Sequence, residues 1–178
     1  MKQSKQAGFT LIELIIVIVI LGILAVTASP KFLDIQGDAR KSTLEGLAAS
    51  LKGAVNIAHS KALVSGVANS ANQAFDLDGD GVNETLDFQY PEGDDVATIL
   101  TILDINGAQA NATGVEWELD ANNSGGANNH PATRIFPVGD FINDGDGFDN
   151  DNLDCYVEYE MESASGAEPT ITVVSTGC

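Results

Sequence analysis

The acidic stretch from Asp76 to Asp87 has the residue types and the spacing of a calcium-binding loop. Acidic residues stand at positions 1, 3, 5, 9 and 12 of twelve, and Gly81 stands at position 6, where the chain must bend sharply. The predicted ligands are Asp76, Asp78, Asp80, the backbone carbonyl of Val82, Glu84 and Asp87. Calcium is coordinated by six to eight oxygens, so this pattern favours Ca2+ as a cofactor. A turn rich in Asp and Gly, without a metal, is the alternative.

A second acidic stretch, from Asn143 to Asp154, repeats the Asp-Gly-Asp-Gly element. Its equivalent of the first ligand position is Ile142, so one ligand is missing. The residues of this second, weaker candidate site are Asp144, Asp146, Asp149 and Asp151. A solvated acidic loop explains the stretch equally well.

Glu13 is the other residue that could do chemistry, because it is the lone charge in the 21 residues from Phe9 to Ser29. A helix of that length spans a hydrocarbon core of about 30 Å. Lys2 and Lys5 precede the run, which favours a cytoplasmic N-terminus. We therefore predict a transmembrane or filament-core helix over residues 9–29. An ionised carboxylate in such a segment needs a partner and marks function.

Gly8 is a small residue that precedes the apolar run, whereas an ordinary secretory signal is cut after its apolar region. Cleavage after Gly8 would remove the basic leader, residues 1–8, and keep the helix. Lys5, the stretch Gly8-Phe9-Thr10-Leu11-Ile12-Glu13 and the apolar run to Ala28 resemble the class III prepilin signal. That signal is shared by type IV pilins, the N-methylphenylalanine family, and by type II secretion pseudopilins.

The resemblance implies that a prepilin peptidase cleaves after Gly8 and that Phe9 becomes N-methylated. It also implies that Glu13 pairs with Phe9 of a neighbouring subunit during assembly into a helical homopolymer. The expected partners are identical subunits, the prepilin peptidase, the inner-membrane assembly platform, and external surfaces or glycans.

The helical period continues beyond the apolar run, so we predict one long helix to about Leu63 with an amphipathic half over residues 30–63. Its apolar face is formed by Leu44, Leu47, Leu51, Val55, Ala58 and Ala62. Gly22 and Pro30 weaken the helix between them, and we expect this segment to open when it packs in a filament. Residues 64–178 then supply a β-rich head. The predicted fold class is α+β, the type IV pilin fold, with the helix packed on an antiparallel sheet.

The C-terminal region alternates in hydrophobicity and contains both cysteines. Residues 155–162 place Glu158, Glu160 and Glu162 on one face, and residues 170–174 follow as an antiparallel partner. An exported chain with an even cysteine count usually pairs its cysteines, so we expect a disulfide between Cys155 and Cys178. Residues 20–28, 155–159 and 169–178 resemble the mannose-sensitive haemagglutinin (MSHA) group of pilins.

The charge distribution argues against nucleic acid as a partner. The chain has 8 basic and 26 acidic residues, and from Ala62 onward it has 22 acidic residues and one basic residue, Arg134. Binding to phosphate groups requires clustered basic residues. Two separate histidines, His59 and His130, have no nucleophile motif near them, so we predict that the chain is not an enzyme.

These features predict a major structural pilin, held in the inner membrane of a Gram-negative bacterium before assembly and then part of an extracellular fibre. Surface attachment, adhesion and biofilm formation would follow from that role. The alternatives are a type II secretion pseudopilin and a membrane-anchored calcium-dependent adhesin or lectin domain.

Overall fold

A computed structural model of the protein describes residues 9–109, 114–122, 130–139, 154–161 and 167–178. The side chains of residues 28–34 and of residue 122 lie outside the described set. The chain divides into two compact units, Met1–Ala39 and Arg40–Cys178. The helices are α1 (Leu11–Ser65) and α2 (Val96–Leu103). The strands are β1 (Gln73–Phe75), β2 (Glu84–Asp87), β3 (Tyr90–Pro91), β4 (Gly107–Gln109), β5 (Trp117–Asn122), β6 (Ala132–Pro137), β7 (Tyr156–Glu160) and β8 (Thr170–Val174).

The first unit contains the N-terminal part of α1. Every described side chain from Phe9 to Thr27 is exposed, including Phe9 at 94%. The helix is continuous through Gly22 and Pro30, so neither residue breaks it in the single chain. A proline inside a helix removes one hydrogen bond, and the neighbouring turns can retain theirs. The expected opening in a packed filament stays a prediction. No helix within the described residues has the length and apolar character needed to cross a membrane.

The second unit is built on the remaining part of α1. All six residues of the predicted apolar face are buried: Leu44, Leu47, Leu51, Val55, Ala58 and Ala62. The helix ends before Gly66, whose φ is +73°, and the amide of Val67 donates to the carbonyl of Ala62. This left-handed glycine cap is a frequent helix ending and agrees with the predicted end.

Two sheets complete the second unit. The smaller has the order β1-β2-β3 and the larger the order β4-β5-β6-β7-β8. All pairs are antiparallel except β4 with β5, which is parallel. The larger sheet packs against α1, and their shared core includes Leu51, Ile135, Val157 and Tyr159. The long helix packed on antiparallel sheets confirms the predicted pilin-like α+β fold.

The predicted disulfide is present and joins Cys155 to Cys178, with 4.9 Å between their Cα atoms. Cys155 is fully buried and Cys178 packs against the same core. The bond connects the start of β7 to the segment that follows β8, so it closes the antiparallel pair that the alternating sequence predicted.

The glutamates of β7 alternate with core residues, as the sequence predicts. Val157 and Tyr159 face the core, and Glu158 and Glu160 on the opposite face are also buried, at 3% and 2% exposed. On this second face, Nε of Arg134 donates to Oε2 of Glu158 at 2.7 Å. The partners of this face come from other parts of the chain, which the alternation of one strand does not reveal. Glu162 lies outside the described residues.

Phe88 and Gln89, with φ of 50° and 73°, form the turn between β2 and β3. Two residues with positive φ are the geometry of a tight hairpin turn. Pro137 is the last residue of β6, which lies between β5 and β7. At the end of a strand it removes one ladder donor without interrupting the strand.

Glu92, in the connection between β3 and α2, lies close to three other carboxylates. Its backbone amide donates to the carbonyl of Thr85 at 3.1 Å. Burial, and then the carboxylates of Asp87, Asp94 and Asp95, raise the pKa of Glu92 to about 7. The pKa of an unfolded glutamate is about 4.3, so the folded chain holds the extra proton between these two values.

We predict that this proton makes stability fall as pH rises. Between about pH 4.5 and pH 7 the folded state binds more protons than the unfolded state, so the free energy of unfolding decreases with pH and levels off above pH 7. Glu92→Gln should flatten this slope and raise the melting temperature at pH 8. Thermal unfolding of the full chain in detergent measures both effects.

Asp104→Asn is the matched control, because Asp104 is exposed and has a positive φ that asparagine tolerates. It removes the same charge without touching Glu92. Equal slopes for the wild-type chain and Glu92→Gln would contradict the prediction.

Candidate functional site

The start of α1 is held by a reciprocal pair of hydrogen bonds between Thr10 and Glu13. Oε2 of Glu13 accepts from the backbone amide of Thr10 at 2.8 Å and from its hydroxyl at 2.7 Å. The hydroxyl oxygen of Thr10 accepts from the amide of Glu13 at 3.4 Å. A threonine followed three residues later by a glutamate is the capping box, which satisfies amides that the first helical turn leaves unpaired.

Glu13 therefore has a partner within its own chain, which the sequence analysis did not foresee. The pattern Thr-x-x-Glu at the start of an apolar run could have indicated it. The predicted pairing of Glu13 with Phe9 of a neighbouring subunit stays a prediction. Phe9 is exposed, so its α-amino group would be accessible after cleavage, while Gly8 lies outside the described residues.

The acidic loop between β1 and β2 brings three of its predicted ligands together. One carboxylate oxygen each from Asp76, Asp78 and Glu84 lies within 4.8 Å of the other two. Glu84 is 6% exposed, and its Oε2 accepts from the amide of Leu77 at 2.6 Å. The two oxygens of Asp76 accept from the amides of Gly79 and Gly81 at 2.6 and 3.1 Å.

The carboxylates of Asp80 and Asp87 are not part of this group, and the backbone carbonyl of Val82 stays a predicted ligand. Oδ1 of Asp80 accepts from the amide of Val82 at 2.7 Å, and the side chain of Val82 is exposed. Oδ1 of Asp87 accepts from the amide of Asn72 at 2.6 Å. Asp87 lies outside the carboxylate group because the loop continues into β2, where residues 84 and 87 point to opposite faces of the strand. In a helix they would have shared a face.

Lys61 of α1 fixes the base of the same loop. Its Nζ donates to the carbonyl of Leu77 at 2.6 Å and to that of Asp76 at 3.4 Å. The cation therefore lies at backbone carbonyls, while the three grouped carboxylates remain available to an ion. The second candidate site, Asp144, Asp146, Asp149 and Asp151, lies outside the described residues.

Comparisons with known proteins give one family motif and two relatives that match part of the chain. Residues 3–29 match the family described as "Prokaryotic N-terminal methylation motif". The chain is 47% identical over 54 residues to the type IV narrow pilus major component PilA5 of Thermus thermophilus, covering 30% of this chain and 47% of that protein. It is 48% identical over 56 residues to the fimbrial protein EcpC of Eikenella corrodens, covering 32% and 37%.

The N-terminal segment therefore carries a prokaryotic methylation motif, and part of the chain is similar to a pilus component and a fimbrial protein. The match spans less than half the length of either relative. No solved structure shows a significant match to the chain. The two relatives are named as a pilus component and a fimbrial protein, which agrees with the prediction that the chain is not an enzyme.

For the N-terminal helix, we predict that the charge of Glu13 and its capping role can be separated. Glu13→Gln keeps an oxygen that can cap Thr10 but removes the charge, whereas Thr10→Ala weakens the cap and keeps the charge. If the carboxylate pairs with Phe9 of a neighbour, Glu13→Gln should abolish most fibres and Thr10→Ala should not. The measurement is the fibre yield of each variant relative to total protein, by electron microscopy and immunoblot. Wild-type yield from Glu13→Gln would refute the pairing of Glu13 with Phe9.

For the acidic loop, we predict that calcium raises the melting temperature of the full chain. A ligand that binds only the folded state stabilises it by about 2.7 kcal/mol at 100 times its dissociation constant. Calcium should stabilise more than magnesium, because flexible oxygen ligands suit the larger ion. Thermal unfolding in excess calcium and in chelator measures the effect.

Two variants locate the ion within the loop. Glu84→Gln retains an acceptor for Leu77 but removes a grouped charge, and it should abolish the calcium effect. Asp87→Asn retains an acceptor for Asn72 and changes a carboxylate outside the group, so it should preserve the effect. Identical melting temperatures of the wild-type chain in calcium and in chelator would show that the loop binds no ion.

Proposed function

We propose that the protein is a subunit of a type IV pilus, which polymerises through its N-terminal helix into an extracellular fibre. The observation that carries this proposal is a pilin N-terminal segment whose every described side chain from Phe9 to Thr27 is exposed. A soluble protein rarely leaves so large an apolar surface in water. The helix is apolar on all sides, so packing among copies of the same helix would bury it.

The folded second unit supports the same role. A disulfide and a helix face buried on a sheet stabilise it independently of neighbouring subunits. Its excess of acidic residues keeps it soluble outside the cell. The subunit therefore combines an apolar N-terminal helix that drives assembly with a soluble domain that is exposed on the fibre.

The finer assignment within this proposal is a major pilin of the MSHA group. The resemblance of residues 155–159 and 169–178 supports it, together with the disulfide between Cys155 and Cys178. In that role the precursor is held in the inner membrane of a Gram-negative bacterium and processed by a prepilin peptidase. The assembled fibre then attaches to external surfaces or glycans and contributes to biofilm formation.

We predict that purified surface fibres consist of chains beginning at N-methylated Phe9. The small residue Gly8 and the matched methylation motif are the reasons for this position. Mass spectrometry of the fibre protein identifies its first residue, and electron microscopy shows the fibre. Fibres built from chains that retain Met1 would contradict the processing. A gene deletion that removes no fibres but blocks protein secretion would support the pseudopilin instead.

A further inference from the structure

Positive charge in the second unit is concentrated on one stretch of α1. Between Arg40 and Lys61 the chain carries four basic residues and one acidic residue, Glu45. From Ala62 onward it carries one basic and 22 acidic residues. Two copies that meet through their acidic parts repel each other, whereas an acidic part of one copy is attracted to this stretch of the other.

The exposed side of this stretch has two grooves along its flanks. The first, of about 410 Å³, is lined by Gly53, Ile57 and Lys61 from α1 and by Ile102 from α2. The second, of about 270 Å³, is lined by Lys52 and Val55 from α1 and by Ile171 from β8. Ala49 lines both grooves, so they form one surface on the two sides of α1. Each groove also holds one carboxylate, Asp78 in the first and Glu168 in the second.

Gly53 has no role in the packing of its own chain. It lies within α1, and a Cβ added to it would meet no atom within 4 Å. Glycine within a helix lowers helix stability relative to alanine. Its absent side chain does, however, let another molecule approach the helix backbone closely.

We propose that this surface, residues 49–61 of α1 with its two grooves, docks an acidic part of the head of a second copy of this chain. Ile57, 72% exposed, supplies apolar contact, and the exposed lysines Lys52 and Lys61 supply the opposite charge. The inference rests on the proposed pilus function and names the head surface that contacts the neighbouring subunit.

The same charge pattern gives the contact a direction. The α1 surface of one copy meets a different, acidic surface of the next, so the interface is heterologous. Repeated heterologous contacts that do not close into a ring produce an open helical filament. A symmetric contact between two α1 surfaces would instead bring Lys52 and Lys61 of both copies together.

The test compares two variants of the full chain with matched controls at neighbouring positions. Gly53→Leu adds a bulky side chain to the first groove, and Lys52→Glu reverses the charge in the second. Each should lower the yield of surface fibres about tenfold, the change in an association constant that a loss of about 1.4 kcal/mol produces. Gly46→Leu is the control for bulk, because Gly46 is an exposed helical glycine that lines neither groove. Lys41→Glu is the control for charge, and Lys52→Arg should retain wild-type yield.

Thermal unfolding of the full chain in detergent distinguishes lost docking from lost folding. Gly53→Leu should melt at or above the wild-type temperature, because leucine favours the helix and its Cβ meets open space. Wild-type fibre yields from Gly53→Leu and Lys52→Glu, or equal losses from the two controls, would overturn the docking surface. These outcomes leave the pilus function intact, which fails only if the wild-type chain forms no fibres.

Discussion

Burial of one face of α1 against the larger sheet is the interaction on which the second unit depends. Leu44 and Leu51 are fully buried on the helix side, and Val157 and Tyr159 are fully buried on the sheet side. The hydroxyl of Tyr159 also donates to the carbonyl of Pro91, which links the sheet to the β2–β3 hairpin. Replacing a buried leucine by alanine costs about 2–5 kcal/mol, a large part of the stability of a domain this size. The grooves beside α1 and the base of the acidic loop keep their positions only while this face stays buried.

The features predicted correctly from sequence are those that a local repeat determines. Spacings of three and four residues gave the buried face of α1, since a helix brings such residues to one side. Alternation placed Val157 and Tyr159 in the core for the corresponding reason in a strand. The disulfide followed from the number of cysteines in a chain expected to be exported. None of these inferences needed a partner from elsewhere in the chain.

The features that sequence could not supply depend on distant partners or on the secondary structure into which a motif continues. Glu158 is buried, and Arg134, which donates to it, lies 24 residues away in sequence. Asp87 leaves the candidate metal group because its loop continues into a strand, whereas the ligand spacing presumes a helix. The hydrogen bonds between Thr10 and Glu13 differ from these, since a known local pattern indicates them. The position of Glu13 in an apolar segment suggested a charge that needs a partner in another subunit, whereas its spacing from Thr10 indicates a helix cap.

The order of strands in the larger sheet determines how the second unit can form during synthesis. Its strands lie side by side in the order in which they occur along the chain, so each pairs with the strand synthesised just before it. Helix α1 precedes all the strands, yet β7 and β8, which complete the cover of its leucines, are made last. Closing contacts between such distant segments is slow, because loop-closure entropy opposes it. The leucine face of α1 is therefore incompletely covered until β7 and β8 have been synthesised, and a nascent chain interrupted before that point would be prone to aggregation.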